Sequence, residues 1–250
     1  MKSINYQYPL IKEYKIIKKG SDPNRFVVEG LWAYEKLTSS NIKIEYLLVS
    51  SDYNQKDKNR IQHLMKISNV VYEISQKNMN RLTSKETPSD VIMICSRKSI
   101  PDTFKKILIL DGLESPGNIG TIFRSCDGAG FDGIFIVNQK AKINQYKVIK
   151  ASMGGYFNIP WKAFDTIESC AEYLIENDFE ILLANPSDSH EKGNTKKVAL
   201  VVGNERFGLS KTWFNYQHQT VSIPMKGSCD SLNVGVAASI LMYEIIKGVQ

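Results

Sequence analysis

The sequence predicts an α/β protein in which a basic N-terminal module precedes a larger domain built on a parallel sheet. Strand-length apolar runs alternate with helical segments in the C-terminal part, as in a parallel sheet covered by helices on both faces. The 250 residues are 42% hydrophobic, which is enough for a core without disulfides. Residues 1–100 carry 17 Lys and Arg against 10 Asp and Glu, a net charge of +7, whereas residues 101–250 carry 15 against 16, a net charge of −1. The basic part therefore either binds a polyanion or presents a lysine-rich surface to solvent, and the charge by itself does not distinguish these two interpretations.

The N-terminal module, placed at 1–98, shows helical and extended signals in turn. Leu31, Tyr34 and Leu37 recur at helical spacing, and residues 42–49 are rich in β-branched side chains. The predicted elements are a strand at 25–28, a helix at 29–38, a strand at 42–49, a helix at 57–67 and strands at 70–72 and 91–95.

A linker is predicted at 99–106, because this segment contains Pro101, Lys105 and Lys106 and few large apolar residues. A second domain follows at 107–250, where four consecutive apolar residues at 107–110 predict a strand buried on both faces. The other predicted elements are helices at 119–128, 146–152, 167–176 and 231–247 and strands at 134–137, 180–184, 198–202 and 220–223.

Composition argues against metal, disulfide and membrane proteins. None of the four cysteines has another cysteine or a histidine at metal-ligand spacing, so we expect reduced thiols and no metal site. The first residues contain no apolar segment followed by a small-residue cleavage site. The longest apolar stretch, 231–243, is shorter than the roughly 20 residues that span a bilayer. We therefore expect a cytoplasmic protein.

Three segments of the second domain carry polar or glycine-rich residues directly after a predicted strand. Ligands bind at the carboxyl ends of strands in open parallel sheets, so we expect the three loops to meet at one site. In the first, Pro116-Gly117 is typical of a turn, and Asn118 is a residue type that often caps helices. Arg124 follows about two turns into the predicted helix. Its glycines match neither a dinucleotide fingerprint nor a P-loop. Taken alone, Arg124 is more simply interpreted as a partner in a surface salt bridge.

The second and third segments are also built from small and polar residues. In the second, 201–210, Gly203 lets the backbone approach a ligand closely. The third, 223–238, leads into a predicted buried helix that begins with small residues. Asn233 is a polar residue at the start of that helix, where it serves either as a cap or as a ligand contact.

Together and in this order, the three segments resemble the motifs of the SpoU/TrmH family of SPOUT RNA 2′-O-ribose methyltransferases, over roughly residues 107–248. The matching residues are Asn118-Ile119-Gly120 with Arg124, Gly203-Asn204-Glu205 with Gly208-Leu209, and Ile223-Pro224-Met225 with Ser231-Leu232-Asn233-Val234. The sequence departs from the family pattern at Asn204, at Arg206-Phe207 and at Gly235. Residues 24–30 resemble part of the substrate-binding extension that precedes the catalytic domain in many such enzymes.

This resemblance implies a deep trefoil knot in the C-terminal domain, with S-adenosylmethionine held in the knot largely by backbone groups. The residues implied as cofactor contacts are Gly203, Ile223, Leu232, Asn204 and Ala184. Arg124 is implied as the activator of the ribose hydroxyl, and we expect it to clamp a neighbouring phosphate, because a guanidinium holds its proton too tightly to act as a base. We expect Glu205 to orient Arg124. The residues expected to shape the catalytic site are Asn118, Ser231 and Asn233.

The resemblance also implies a homodimer with the site near the subunit interface, and structured RNA as the partner. We expect large-subunit (23S) ribosomal RNA as the substrate, because the N-terminal module is long beside the minimal transfer-RNA enzymes of the family. The alternatives are methylation of transfer RNA and RNA binding without catalysis on the same fold. A dinucleotide-dependent oxidoreductase is disfavoured, since the glycine fingerprint is missing.

Overall fold

The computed structural model describes residues 1–40, 42–83, 88–97, 103–185 and 197–248. The elements run in chain order as β1 (Lys2–Ile4), α1 (Pro9–Lys18), β2 (Arg25–Glu29), α2 (Tyr34–Thr38), β3 (Ile42–Ser50), α3 (Lys58–Ile67), β4 (Val70–Ile74), α4 (Gln76–Leu82), β5 (Val91–Arg97), β6 (Lys106–Asp111), α5 (Pro116–Ala129), β7 (Gly133–Val137), α6 (Tyr146–Ala151), α7 (Gly155–Asn158), β8 (Trp161–Ala163), α8 (Ile167–Glu176), β9 (Glu180–Ala184), β10 (Val198–Val202), β11 (Gln219–Val221) and α9 (Val234–Gly248). Short 3-10 helices lie at Leu31–Ala33, Gln55–Asp57 and Lys211–Asn215.

The chain divides into two compact units, and the division is not contiguous in sequence. The first unit comprises Met1–Ser99 and Lys142–Phe157, and the second comprises Ile100–Ala141 and Asn158–Gln250. The segment 142–157, predicted as part of the 107–250 domain, therefore groups with the N-terminal residues instead. Residues 99–102 of the predicted linker 99–106 lie outside the described residues, and β6 already begins at Lys106.

The segment 142–157 packs with the first unit through buried polar and aromatic contacts. Asn144 Nδ2 donates to the carbonyl oxygens of Asp22 and Pro23 at 2.9 and 2.7 Å. The ring of Tyr156 packs edge-on against Phe26, with ring centroids 5.1 Å apart. These contacts join residues more than 100 positions apart in the chain, which is why no local pattern predicts them.

The first unit is built on a mixed sheet of strand order β1-β4-β3-β5-β2. Strand β4 pairs in parallel with β1 and β3, and β5 is antiparallel to β3 and β2. Apolar side chains of α1 and α4 pack on one face of this sheet. The carboxylate of Glu29, at the end of β2, is buried and accepts a hydrogen bond from the Tyr14 hydroxyl at 2.5 Å. Lys18 pairs with the same carboxylate at 2.5 Å, so the charge is compensated within the unit.

The second unit is a six-stranded, entirely parallel sheet of strand order β11-β9-β10-β6-β7-β8. The four apolar residues 107–110 of β6 are at most 1% exposed, which agrees with the predicted burial on both faces. Helix α8 covers one face through Cys170 and Leu174, which join the cluster formed by β6, β9 and β10. Helices α5 and α9 pack against each other, with the Ser125 and Ser239 hydroxyl oxygens 2.6 Å apart.

The sheet register brings the carboxyl ends of four strands to one edge. Leu110 of β6 is paired with Val202 of β10, and Val221 of β11 is paired with Ala184 of β9. The loops that follow these strands therefore leave the sheet side by side, as predicted for parallel strands. None of the described helices is both long and apolar enough to cross a membrane.

Several predicted elements differ from the structure. The predicted helix 29–38 is wrong at its start, because Glu29 completes β2 and Gly30 adopts a φ of +87° before α2 begins at Tyr34. Helix α1 and the short strands β1 and β8 were not predicted. Helix α9 begins at Val234 rather than at 231, and β11 ends at Val221. Residues 231–233 consequently belong to the preceding loop, where their side chains are free to line a cavity.

Candidate active site

The three loops singled out from the sequence meet at one cavity of about 860 Å³ in the second unit. Volumes of roughly 300–1,000 Å³ are typical of small-molecule sites. Of the ten predicted site residues, the cavity wall contains Asn118, Ala184, Gly203, Asn204, Glu205, Ser231, Leu232 and Asn233. Parallel strand ends thus gather side chains that are more than 100 residues apart in sequence.

A chain of side-chain hydrogen bonds ties the three loops together. Asn233 Nδ2 donates to Asn118 Oδ1 at 3.0 Å. Asn118 Nδ2 in turn donates to Glu205 Oε1 at 3.0 Å. The asparagine after β11 is therefore connected to the glutamate after β10 through the asparagine after β6. Each member fixes the orientation of the next, which is the preorganisation that a catalytic or binding site requires.

The start of α5 is fixed by its own cap. Ser115 Oγ accepts from the backbone N–H of Asn118 at 3.4 Å, and Pro116 occupies the first helical position. The predicted cap, Asn118, is therefore inside the first turn, and its side chain is available for the loop-to-loop contacts. A serine directly before the proline is the sequence signal that identifies the true cap.

The turn after β10 is closed tightly around Gly203. The backbone N–H groups of Asn204 and Gly208 each donate to the other residue's carbonyl at 2.9 Å. A Cβ atom added at Gly203 would lie 2.2 Å from the carbonyl carbon of Gly208, closer than any side chain permits. The predicted role of this glycine in a close backbone approach agrees with that geometry, although the approaching backbone is the turn itself.

Glu205 is held by the loop after β6. Its Oε1 accepts from the Ser115 N–H at 3.1 Å, and its Oε2 accepts from the Glu114 N–H at 3.2 Å. Burial by itself raises the pKa of the Glu205 carboxyl. The hydrogen bonds from Asn118 and from the backbone outweigh that effect and lower the pKa below its usual value. The carboxylate is therefore ionised near neutral pH, and its oxygens accept hydrogen bonds from the loop and from Asn118.

We expect Glu205→Gln to lower the free energy of unfolding by about 1 kcal/mol near neutral pH, since an amide lacks the second strong acceptor that the loop N–H groups face. A depressed pKa stabilises the fold above the unfolded carboxyl pKa of about 4.3, and this contribution disappears as the pH falls through the folded value. Denaturant unfolding near neutral pH and again below about pH 4 should show the difference shrinking. An equal difference at both pH values would contradict the assignment, and Glu172→Gln, at an exposed position of α8, is the control.

Asn233 acts both as a cap and as a link. Its Oδ1 accepts from the backbone N–H groups of Gly235 and Val236 at 2.9 and 3.4 Å, at the start of α9. Its Nδ2 is thereby turned toward Asn118. The sequence left open whether Asn233 is a helix cap or a ligand contact, and here it both caps α9 and lines the cavity. A Cβ atom at Gly235 would lie 3.2 Å from Asn233 Oδ1 and 3.4 Å from Thr121 Cγ2, so Gly235 packs closely against both the cap and α5.

Ile223 lines a smaller apolar cavity that adjoins the first one. The two cavities share the wall residues Ala184, Ser231, Leu232 and Ala237. Met225 and Leu241 complete the apolar lining on the side of Ile223. Nine of the ten predicted residues thus surround one continuous region, with an apolar end and a polar end.

Arg124 stands apart from this group. Its side chain is exposed on α5 and does not line either cavity. Among the described residues it makes no hydrogen bond or ion pair, so neither the predicted contact with Glu205 nor the alternative surface salt bridge is present. In this structure the Glu205 carboxylate accepts hydrogen bonds from Asn118 and the loop backbone, so the orientation of Arg124 by Glu205 stays a prediction.

The sequence reasoning also missed the wall residue Glu114 and the neighbouring Gly112. Glu114 lines the cavity, and its Oε1 lies 3.4 Å from Asn204 Nδ2. Asn204 Nδ2 also donates to the Gly112 carbonyl at 2.6 Å, which ties the turn after β10 to the loop after β6. The signal for both was available, since Glu114 and Gly112 directly follow the apolar strand.

The parallel sheet, with a polar cavity at its carboxyl edge, is the arrangement of α/β proteins that bind a ligand at their strand ends. The model of the SpoU rRNA Methylase family matches residues 105–243, and that of the MRM3-like substrate binding domain matches residues 14–93. The chain belongs to the SpoU rRNA methylase family, as the three motifs predicted.

Individual relatives agree with this placement. The 23S rRNA (guanosine(2553)-2′-O)-methyltransferase RlmP of Bacillus subtilis (strain 168) is 28% identical over 244 residues, covering 94% of this chain and 95% of the relative. The SpoU methyltransferase AviRb from Streptomyces viridochromogenes, crystallised with AdoMet, matches with a TM-score of 0.85 at 21% identity, covering 96% of this chain and 98% of that chain. The A. aeolicus TrmH/SpoU tRNA modifying enzyme matches with a TM-score of 0.50 at 28% identity, covering 58% of this chain and 76% of that chain. The predicted fold class is confirmed.

Proposed function

We propose that this RNA methyltransferase transfers a methyl group from S-adenosylmethionine to a ribose 2′-hydroxyl of large-subunit ribosomal RNA. The observation that carries the proposal is the hydrogen-bond chain from Asn233 through Asn118 to Glu205, which assembles the three family motifs around one cavity. A protein that only bound RNA would not need these oriented side chains beside a cavity large enough for a cofactor.

The cavity suits S-adenosylmethionine in volume and in the chemistry of its wall. S-adenosylmethionine, when bound, supplies an electrophilic methyl group on a sulfonium centre. Gly203 and Ala184 keep side-chain bulk out of the wall, and the adjoining apolar cavity at Ile223 and Leu232 offers contact area for a planar ring. Asn204 lies at the polar end, where its side chain fixes the turn. These are the residues that we propose hold the cofactor.

Arg124 is proposed to act on the RNA. A guanidinium carries its charge at any physiological pH, so it binds phosphate in a bidentate fork and polarises a neighbouring hydroxyl rather than removing its proton. Without a partner among the described residues, the Arg124 side chain is available for that contact. Asn118, Ser231 and Asn233 are proposed to position the ribose at the cavity mouth.

A homodimer would explain why Arg124 lies outside the cavity of its own chain. Helix α9 carries an apolar stripe at four-residue spacing, in which Val236 and Ile240 are 46% and 37% exposed. The ring of Tyr243 continues the stripe, and its hydroxyl lies beside Gly128 of α5. Gly128 is one helical turn from Arg124. A two-fold contact through this stripe would therefore bring Arg124 to the subunit interface.

We expect Ile240→Asp to convert the protein to a monomer and to abolish methylation. At a two-fold contact the same residue of both subunits is buried, so two carboxylates would lose their water and repel each other. Sedimentation velocity measures the change in mass. Ile175→Asp is the matched control, since Ile175 is 56% exposed on α8 of the same unit. A wild-type protein that sediments as a monomer would contradict the dimer.

The first unit is proposed to provide RNA affinity. Its N-terminal residues carry the basic excess, and the segment 142–157 adds three lysines without an acidic residue. The 23S rRNA relative matches this chain over 94% of its length, whereas the tRNA modifying enzyme covers 58% of it. This difference in coverage favours ribosomal RNA over transfer RNA.

The test is methylation of total unmodified bacterial RNA with labelled S-adenosylmethionine, followed by separation of the RNA by size. Label in the large ribosomal RNA, recovered in a dinucleotide that resists alkaline hydrolysis, supports the proposal because a 2′-O-methyl group blocks that cleavage. Label in transfer RNA would keep the chemistry and replace the substrate. No label in any fraction, together with no cofactor binding by calorimetry, would leave the non-catalytic RNA-binding alternative.

A further inference from the structure

An aromatic ring projects into solvent at the rim of the cavity. Phe207 is 78% exposed, a larger fraction than any other large apolar side chain among the described residues. It occupies the tip of the turn between Asn204 and Gly208. An isolated exposed apolar residue is common, but one held beside a ligand cavity calls for an explanation.

The turn presents this ring in a fixed position. Asn204 Oδ1 accepts from the backbone N–H groups of Arg206 and Phe207 at 2.9 and 3.1 Å. Gly208 closes the turn with a φ of +69°, a conformation that favours glycine. Glu205, inside the same turn, is anchored to the loop after β6. The backbone under Phe207 is therefore tied down on both sides, and its exposure does not come from a loose loop.

The turn that carries Phe207 separates two cavities. Arg206 lines the cavity of the three motifs, whereas Phe207 lines a second one, of about 510 Å³, on the other side of the turn. The second cavity is polar, with Asn138, Gln139 and Lys140 in its wall. Glu114, Asn204 and Gly208 belong to the walls of both cavities, so the two lie back to back. The Arg206 guanidinium carbon is 5.7 Å from the centre of the Phe207 ring.

We propose that the second cavity holds the nucleotide next to the methylated one, with its base stacked on Phe207. This inference rests on the proposed function and adds a binding site to it. Every nucleobase has a π-face that stacks on an aromatic side chain, and sequence-specific proteins bind unstacked RNA bases in this way. Arg206 lies beside the ring and Lys140 lines the second cavity, so each supplies a positive charge for the phosphate that joins the two nucleotides or for the next phosphate along the RNA. Asn138 and Gln139 line the same cavity, and their amide nitrogens are held by Asp111 and by the Ala141 carbonyl, which leaves their amide oxygens as acceptors for the edge of a base.

The test measures RNA methylation and RNA binding separately. The substrate is the RNA fraction labelled by the wild-type enzyme, and the variants are Phe207→Ala, Phe207→Leu and Phe207→Trp. Phe214→Ala is the matched control, since Phe214 is also exposed, at 43%, but lines neither cavity. We expect Phe207→Ala to raise KM for RNA about 5- to 100-fold, the range reported for loss of one base–aromatic stack. The affinity for S-adenosylmethionine, measured by calorimetry, should stay within about twofold.

The three variants distinguish stacking from simple apolar contact. Phe207→Trp should retain KM, whereas Phe207→Leu should behave like Phe207→Ala, because leucine keeps the apolar volume but has no π-face. A KM for Phe207→Ala within about twofold of wild type would overturn the proposal while the methyltransferase function stands. A wild-type enzyme without activity on any RNA would overturn both. A shift of Phe207→Ala from dimer to monomer in sedimentation would identify Phe207 as a subunit contact and overturn base stacking.

Discussion

We expect Arg124→Ala to lower kcat about 10²- to 10³-fold, the loss typical of removing one preorganised charged or hydrogen-bonding group from a transition state. The side chain is exposed and has no hydrogen-bond or ion-pair partner among the described residues. Its removal should therefore change the free energy of unfolding by no more than about 0.5 kcal/mol. Cofactor affinity should also be unchanged, because Arg124 lines neither cavity. Methylation kinetics, denaturant unfolding and titration calorimetry measure the rate, the stability and the cofactor affinity in turn.

Arg124→Lys separates a clamp from a simple positive charge. Lysine keeps the charge but lacks the planar fork that grips a phosphate through two parallel hydrogen bonds. We expect this variant to remain at least tenfold below wild type. Near-normal turnover of Arg124→Lys would argue against the clamp, and near-normal turnover of Arg124→Ala would remove Arg124 from the site altogether.

We expect Gly203→Ala to lower the free energy of unfolding by about 1–3 kcal/mol, the range for forcing extra volume into a packed site. The added methyl would meet the carbonyl carbon of Gly208 at 2.2 Å and the N–H nitrogen of Leu209 at 2.4 Å. Both are backbone atoms, so the turn itself has to move. Since Glu205 and Asn204 belong to that turn, kcat/KM should fall about 100-fold, as a displacement of about 1 Å can cause.

Gly227→Ala is the control for Gly203→Ala. A methyl group added at Gly227 meets nothing within 4 Å, and this residue lies in the loop before α9 of the same unit. Denaturant unfolding should show wild-type stability for Gly227→Ala and a lower midpoint for Gly203→Ala. If both variants unfold like wild type, the turn after β10 tolerates displacement, and its tight closure around Gly203 does not contribute to the free energy of unfolding.

Loops with the right residue types could be predicted from the sequence, but their contacts could not. Asn118 and Asn233 were singled out separately, each as a polar residue at a helix start. Their side chains share a hydrogen bond although 115 positions separate them. The link depends on β6 and β11 ending at the same edge of the sheet, and strand order is not encoded in local periodicity.

Glu205 illustrates the same limit on a smaller scale. Its position in a motif indicated a role in the site, and the structure places it at the cavity wall. The direction of its carboxylate follows from the N–H groups that the loop after β6 offers at Glu114 and Ser115. The Glu205 carboxylate therefore binds these N–H groups and Asn118, and it makes no ion pair with Arg124 among the described residues.

The sequence by itself determined the parallel α/β class, the basic character of the N-terminal part and the three motif loops. These features are local, since apolar runs, turn residues and charges act within a few positions of one another. Only the tertiary structure decided that residues 142–157 join the first unit, that Glu205 binds Asn118, and that Phe207 lines a second cavity behind the turn. Each of these depends on which chain segments the strand order brings together, and that order is set by burial of the whole sheet.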